Sequence, residues 1–443
     1  MSAGELARSA GGAEVATVVA LTREGEGIVR DGRAVFIPGA LPGERVRFER
    51  VRRRRRHDHG RLLAVLESAP ARVTPRCAHF GVCGGCALQH LAPEAQLALK
   101  ELELRETLER VAHLKCRQWL APIRGPAWAY RRRARLGVKY VQKKGKVVVG
   151  FRERMAPYVA DVSRCEVLAA PVGEWPAPLA ELIGALDIRL KVPQIEVAVA
   201  DDGVALVFRV LAAPSPADLG RLRQFAAAHG ARIFLQPAGP QSLEARAGPS
   251  EPLHYGLPQF GVTLEFAPTD FVQINGEVNR ALVGRAVELL EPTPASSILD
   301  LYCGLGNFSL ALARSAGRVV GVEGEAALVE RARHNSRRNG LGNAEFHVAD
   351  LSRPIDPQTS WVRETYTHVV LDPPRLGARE VLGTVARLGP QRLVYISCHP
   401  GSLARDLGAL VHEHGFTLEA AGVVDMFAHT AHVESIALLS GPG

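Results

Sequence analysis

No uninterrupted apolar run of about 18 residues occurs in this chain of 443 residues, so no membrane-spanning helix is expected. The opening Met1-Ser2-Ala3-Gly4-Glu5 lacks a charged stretch leading into an apolar one, and the expected location is therefore cytoplasmic. No internal repeat recurs along the chain, which argues against a solenoid. The seven cysteines, Cys77, Cys83, Cys86, Cys116, Cys165, Cys303 and Cys398, are an odd number without a secretion signal. That argues against a disulfide framework. What remains is an ordinary globular composition, 47% hydrophobic and 23% charged, at a length that suits two to four domains.

Acidic residues are the scarcer sign. Lys plus Arg exceeds Asp plus Glu by 54 − 46 = 8, and the excess is unevenly placed. Arg52 to Arg56 form an unbroken run just after Arg50. A second basic cluster runs from Arg131, Arg132, Arg133 and Arg135 through Lys139, Lys143, Lys144 and Lys146. Like charges in a block repel unless an anionic partner neutralises them, and RNA phosphate is the commonest such partner. A solvated basic face is the alternative.

Short alternating runs between residues 13 and 71 are broken by turn signals such as Asp31-Gly32, Pro38-Gly39 and Pro42-Gly43. Five short strands in that space predict an OB-like barrel, with the arginine run joining its last two strands. Residues 72–265 mix strands and helices, and a helix of about 93–115 is expected near their start, placed to pack on the domain that follows. From 266 to 443 the pattern alternates βα, which predicts a doubly wound, Rossmann-like sheet. The expected fold class is thus multidomain α/β.

Asp300-Leu301-Tyr302-Cys303-Gly304-Leu305-Gly306-Asn307-Phe308 sits at a strand-to-helix turn, where Gly304 and Gly306 let the backbone approach a ligand. Such turns serve several nucleotide cofactors. The third glycine of the dinucleotide fingerprint is missing, which disfavours NAD. Glu323 ends the next strand, where an acid accepts from ribose hydroxyls, and Asp350 ends the third, where adenine-side contacts usually lie, with a helix cap as the alternative. Leu371-Asp372-Pro373-Pro374-Arg375 ends a fourth strand, at the edge where open α/β sheets bind ligands. A plain loop is the alternative there.

Val394-Tyr395-Ile396-Ser397-Cys398-His399-Pro400 places a thiol beyond the following strand, before a helix whose dipole would favour thiolate. A lone cysteine in that position is commonly structural, but this one lies one strand on from Asp-Pro-Pro. Such a nucleophile suits methylation of uracil at carbon 5. Thiolate addition at carbon 6 makes carbon 5 carbanionic, and a carboxylate must later remove the carbon 5 proton. Glu434, before the final strand, is the candidate base, or else a solvated strand-end acid.

Cys77, Cys83 and Cys86 crowd one loop, and Cys165 stands far downstream. Four thiols fit a [4Fe–4S] cluster or a zinc site, but the second CxxC pair usual for zinc is absent, which favours iron–sulfur. The C-x3-C-x2-C spacing of radical enzymes that use S-adenosylmethionine is absent too. A fully ligated, mainly structural cluster is therefore expected.

Taken in order, these pieces resemble the RNA (uracil-5-)-methyltransferases, most closely their 23S ribosomal RNA branch. The resemblance runs through a TRAM-like barrel, the four cysteines, Phe271-Val272-Gln273-Ile274-Asn275, Asp300 to Phe308, Leu371 to Arg375, Ser397 to Pro400 and His432-Val433-Glu434. It implies Cys398 as nucleophile, Glu434 as base, and Gln273, Tyr302, Asn307, Glu323, Asp350 and Asp372 as contacts of S-adenosylmethionine. His399 departs from the family's usual Asn after the nucleophile, a change expected to touch only the turn. The family's tRNA branch lacks barrel and cluster, so their presence implies ribosomal RNA as partner. Tyr130 to Gly137 resembles the enzymes acting on uridine 1939. No obligate protein partner is implied. The competing readings are an RNA-binding or folding factor with a vestigial methyltransferase domain, and methylation of a different uridine.

Overall fold

The computed structural model describes residues 12–442 apart from Arg23 and Ser250, and within them four sheets divide the chain. The first holds β1 (Glu14–Thr17), β2 (Ala20–Leu21), β3 (Glu26–Asp31), β4 (Arg33–Pro38), β5 (Arg45–Arg53) and β6 (Asp58–Glu67), in the order β1-β5-β6-β4-β3-β2. Its two ends are β1 and β2, which are separated in the chain only by Val18 and Val19. The sheet therefore curls closed around Val18, Val29, Val35, Ile37, Val46 and Phe48. Six strands appear where five were expected, because the run Val15 to Leu21 breaks in two as it passes from one neighbour to the other. Arg50 is absorbed into the fold by Glu14 and Asp58, whereas Arg52 to Arg56, at the β5–β6 turn, face solvent.

After the cysteine loop come α1 (Pro93–Val111) and β7 (Gln118–Trp119). A second sheet then forms from β8 (Arg133–Val141), β9 (Lys146–Gly150), β10 (Gln194–Val199), β11 (Val204–Arg209), β12 (Ala231–Gln236) and β13 (Glu244–Ala247), covered by α2 (Pro176–Ala185) and α3 (Pro216–His229). Helix α3 shows why it starts and stops where it does. Ser215 and Asp218 form a reciprocal capping box around Pro216, and Gly230 ends the helix in the left-handed conformation. A hairpin of β14 (Leu253–Leu257) and β15 (Val262–Phe266) leads into the last unit.

That unit contains α4 (Gly276–Leu290), β16 (Ser297–Leu301), α5 (Ser309–Leu312), β17 (Arg318–Glu323), α6 (Ala326–Arg338), β18 (Ala344–Val348), β19 (His368–Leu371), α7 (Arg379–Leu388), β20 (Arg392–Ser397), α8 (Pro400–His412), β21 (Thr417–Val424) and β22 (Glu434–Ser440). The strand order is β18-β17-β16-β19-β20-β22-β21-β7, with β22 antiparallel to its neighbours. Val319, Val320, Val369, Val370, Leu393 and Val394 are fully buried, as expected for strands covered on both faces. Strand order reverses between β16 and β19, where doubly wound sheets open a ligand crevice. Helix α1 and β7 precede the second sheet in sequence but belong to this layer. Leu104 and Leu108 are buried with Leu403 and Leu407 of α8, and β7 extends the sheet beside β21. No helix among the described residues is long and apolar enough to cross a membrane.

Leu104 is fully buried at the seam between α1 and the last sheet. Leu104→Ala is expected to lower stability by about 2–5 kcal/mol in a denaturant titration.

Candidate active site

The turn after β16 is built by backbone strain and two acids. Tyr302 sits at a φ of 65°, a conformation that a non-glycine residue holds only when its surroundings impose it. Its peptide N–H and that of Cys303 both donate to the Val322 carbonyl, which bends the chain away from the sheet. Gly306, at a φ of 97°, continues the bend where a side chain would be strained. Below the turn, Asp300 is fully buried and accepts from Ser309 Oγ at 2.5 Å, while its Oδ1 has no partner. Burial pushes its carboxyl up to about 7.

Glu323 accepts from the Gly304 N–H at 3.1 Å, the Gly324 N–H at 2.6 Å and the Glu325 N–H at 3.1 Å. It therefore ties two ligand-edge turns together, a role that sequence spacing does not reveal. Asn307 is held by a reciprocal amide pair with Asn279 at 2.9 and 3.0 Å, and its Oδ1 also accepts from Tyr255 at 3.0 Å. Gln273 lines a small cavity with Tyr255 and Asn279, the two residues that hold Asn307. Tyr255 and Asn279 were not foreseen, because they come from the hairpin and α4 and carry no motif. Tyr302 donates its hydroxyl to Leu351 O at 3.3 Å. Asp350 stands apart. It is fully exposed and bound to Ser352 and Arg353 in its own turn.

Strands β20 and β22 are antiparallel, and Ser397 pairs with Ser435. Cys398 and Glu434 are the next residues along that register, and Glu434 lies close enough to act on the Cys398 thiol. Asp372 follows β19, next to β20. The three groups share one corner, where Glu434 is buried and Asp372 and Cys398 are half-buried. Burial pushes Glu434 up to about 8, and the nearby Asp372 charge adds to the shift. Burial alone carries Asp372 up to about 7. Cys398 goes up to about 11, first through burial and then through repulsion by Glu434 and Asp372, with Arg375 opposing. The helix dipole expected to favour thiolate is thus outweighed by burial and two carboxylates. His399 caps α8, its Nδ1 accepting from the Ser402 N–H at 3.1 Å, the task that an Asn side chain performs in such a position.

Cys398 opens into a cleft of about 1250 Å³. Arg131, Arg135, Arg152 and Arg154 line its far wall, and Gly84, Gly85 and Cys86 of the cysteine loop form part of its floor. Arg131 and Arg135 come from the second basic cluster. Arg152 and Arg154 are isolated in sequence and gain meaning only through the cleft.

Cys77, Cys83, Cys86 and Cys165 surround one small cavity as free thiols. Burial pushes Cys83 up to about 11 and Cys86 up to about 12. The Gly85 N–H points to Cys83 Sγ at 3.4 Å. At Gly84 a side chain would meet Arg152 O at 2.8 Å, so the loop packs against the exit of β9 in a way only glycine permits.

A family model described as tRNA (uracil-5-)-methyltransferase matches residues 261–441. A 23S rRNA (uracil(1939)-C(5))-methyltransferase RlmD from Alkalilimnicola ehrlichii is 52% identical over 423 residues, 95% of each chain. The protein of that name from Alcanivorax borkumensis is 47% identical over 429 residues, 96% of each. The crystal structure of a Pyrococcus abyssi tRNA (uracil-54, C5)-methyltransferase in complex with S-adenosyl-L-homocysteine shares the fold, with a TM-score of 0.73 at 24% identity. The match covers 96% of this chain and 99% of that one. A match of that extent takes in the first sheet, so an N-terminal barrel does not separate ribosomal from transfer RNA enzymes, contrary to expectation. Identity across nearly the full length does separate them, and by that measure the chain belongs to the family of 23S rRNA (uracil(1939)-C(5))-methyltransferases.

Proposed function

We propose that this chain transfers a methyl group from S-adenosylmethionine to carbon 5 of uridine 1939 in 23S rRNA, in the cytoplasm where that RNA is made. The observation that carries the reading is the β20–β22 register, which sets a thiol against a buried carboxylate at the head of a basic cleft. The Cys398 thiol loses its proton to solvent in the cleft, the thiolate adds to uracil carbon 6, and the displaced electron pair settles on carbon 5 and its carbonyl as an enolate. S-adenosylmethionine, when bound, supplies an electrophilic methyl. Glu434 then takes the carbon 5 proton, the carbon–sulfur bond breaks with its pair returning to Cys398, and the ring double bond reforms.

The residues present fit that donor. The Gly304–Gly306 turn, the unpartnered Asp300 Oδ1 and the Glu323 carboxylate stand together at the switch point of the sheet. Gln273, Tyr302, Asn307, Glu323 and Asp372 are assigned to hold it. Asp350 joins them only if its turn with Ser352 and Arg353 opens.

The reading extends to three units, 13–71 as a TRAM-like RNA-binding barrel, 72–265 as a central unit, and 266–443 as the methyltransferase. Cys77, Cys83, Cys86 and Cys165 are assigned to a [4Fe–4S] cluster with a structural role. Among the described residues no group of three or more His, Cys, Asp or Glu is gathered closely enough to hold a metal ion, so the assignment rests on the four thiols that line one cavity. Thiols ringed around a cavity suit a cluster that binds one cysteine at each iron.

With 5-fluorouridine in the target RNA, fluorine cannot leave as a proton does, so a covalent complex should persist on a denaturing gel. Its formation by Cys398→Ala would overturn the mechanism. Glu434 has its carboxyl raised from 4.5 to about 8, so the fold favours its protonated form. The stability this confers is complete below 4.5 and is lost as pH rises through 8. Glu434→Gln, which cannot ionise, should therefore gain on the order of 1–3 kcal/mol over the native chain at pH 8.5. Equal melting temperatures at pH 5 and pH 8.5 would contradict that burial. Replacing Arg52 to Arg56 by Ala should weaken RNA binding and flatten its dependence on log salt by about 0.7–0.9 for each lost phosphate contact. Unchanged affinity would remove the barrel from the interface.

A further inference from the structure

The segment 425–433 links β21 to β22 and ends against Glu434. It has no regular structure, yet Met426, Ala428, His429 and Val433 are all buried. His429 holds a φ of 61°, so its neighbours impose its conformation.

Those neighbours come largely from the cysteine loop and α1. The His429 carbonyl accepts from the Ala87 N–H at 2.8 Å and the Leu88 N–H at 3.0 Å, and these two residues directly follow Cys86. The His429 N–H donates to Gln96 Oε1 at 3.0 Å, while Gln96 Nε2 donates to Leu88 O at 3.0 Å and Leu91 O at 2.7 Å. Gln96 thus spans the gap between the cysteine loop and His429. Lys100 bonds Asp425 at 2.7 Å and Phe427 O at 2.9 Å. The ring of Trp128 lies 3.9 Å from that of His429, and Arg76, which precedes Cys77, lies over Trp128 at 5.3 Å. Arg76 in turn pairs with Glu166, beside Cys165, at 2.9 Å. The sequence neighbours of three thiol residues therefore converge on one histidine, five positions before the candidate base.

We propose that the cysteine loop is a positioning element for Glu434. Through the Ala87 and Leu88 peptides, Gln96 and the Arg76–Trp128 stack, the state of the thiol site sets the conformation of segment 425–433 and the aim of its carboxylate. The effect of the cysteine loop falls on one step, removal of the carbon 5 proton, through residues that do not touch substrate. This inference rests on Glu434 being the base, and the test separates the two.

The full chain carries its metal, verified by iron analysis, and acts on an RNA fragment containing ordinary uridine. Covalent protein–RNA complex and product release are followed on denaturing gels. Glu434→Gln should accumulate the methylated covalent complex, which tests the base assignment. Gln96→Ala should accumulate the same complex, with release slowed by about 10- to 100-fold, S-adenosylmethionine affinity unchanged, and partial rescue by Gln96→Glu. Release at the native rate by Gln96→Ala, while Glu434→Gln stalls, overturns the proposal. A second arm needs no substitution. Hydrogen exchange across 426–433 is compared before and after the metal is stripped from the native chain with ferricyanide and a chelator. Faster exchange there supports the coupling and unchanged exchange overturns it, also in the event that Glu434→Gln releases normally and the base lies elsewhere.

Discussion

Asp372, Cys398 and Glu434 meet at one corner of a sheet, Glu434 buried and the other two half-buried, and keeping them there is the constraint that most of the structure serves. Desolvation favours the neutral form of all three, and Cys398 and Glu434 must each carry charge during the reaction assigned to them. Moving a pKa by one unit corresponds to about 1.4 kcal/mol, so shifts of this size are held only by a rigid frame. The frame is the set of largely apolar, buried strands β16, β17, β19 and β20, covered on both faces, together with the antiparallel β22 that brings Glu434 back towards Cys398. An arrangement that suppresses the thiolate also protects an idle nucleophile from adventitious oxidation.

Much of this was legible from residue order. The alternating βα pattern, the Gly304–Gly306 turn, the Asp-Pro-Pro strand end and the cysteine beyond the next strand all depend on local rules: period, turn chemistry and strand termination. The closed first sheet was legible for the same reason, though the break at Val18 and Val19 depends on which strands lie beside it and left no mark in the period. What escaped were pairings at long range. Tyr255 and Asn279 on Asn307, Gln96 on His429 and Arg154 in the cleft wall are ordinary residues until the chain brings them together. Charge states escaped as well. The thiol beside a helix start reads as acidic from sequence, and burial, with two carboxylates packed nearby, reverses the sign.

Partner choice illustrates a different limit. A barrel and a basic cleft announce nucleic acid, but the same architecture spans an enzyme named for transfer RNA. Phosphate attraction and shape position an RNA without specifying it, so the fold alone leaves the choice between RNAs open. Here the distinction rests on near full-length identity to enzymes of one named target.

Helix α1 and β7 belong to the last sheet although residues 133–247 of the second sheet lie between them and it in the chain. During synthesis, the apolar face of α1 leaves the ribosome long before α8 and β21, its packing partners. Roughly 300 residues separate them, which at about 5–20 residues per second is a wait of some 15–60 s. For that interval Leu104 and Leu108 have no native cover, and the cysteine loop beside them has no 425–433 segment to grip. Maturation of this enzyme is thus tied to completion of its own C-terminus, and the nascent chain is the form in which a chaperone's protection would matter most.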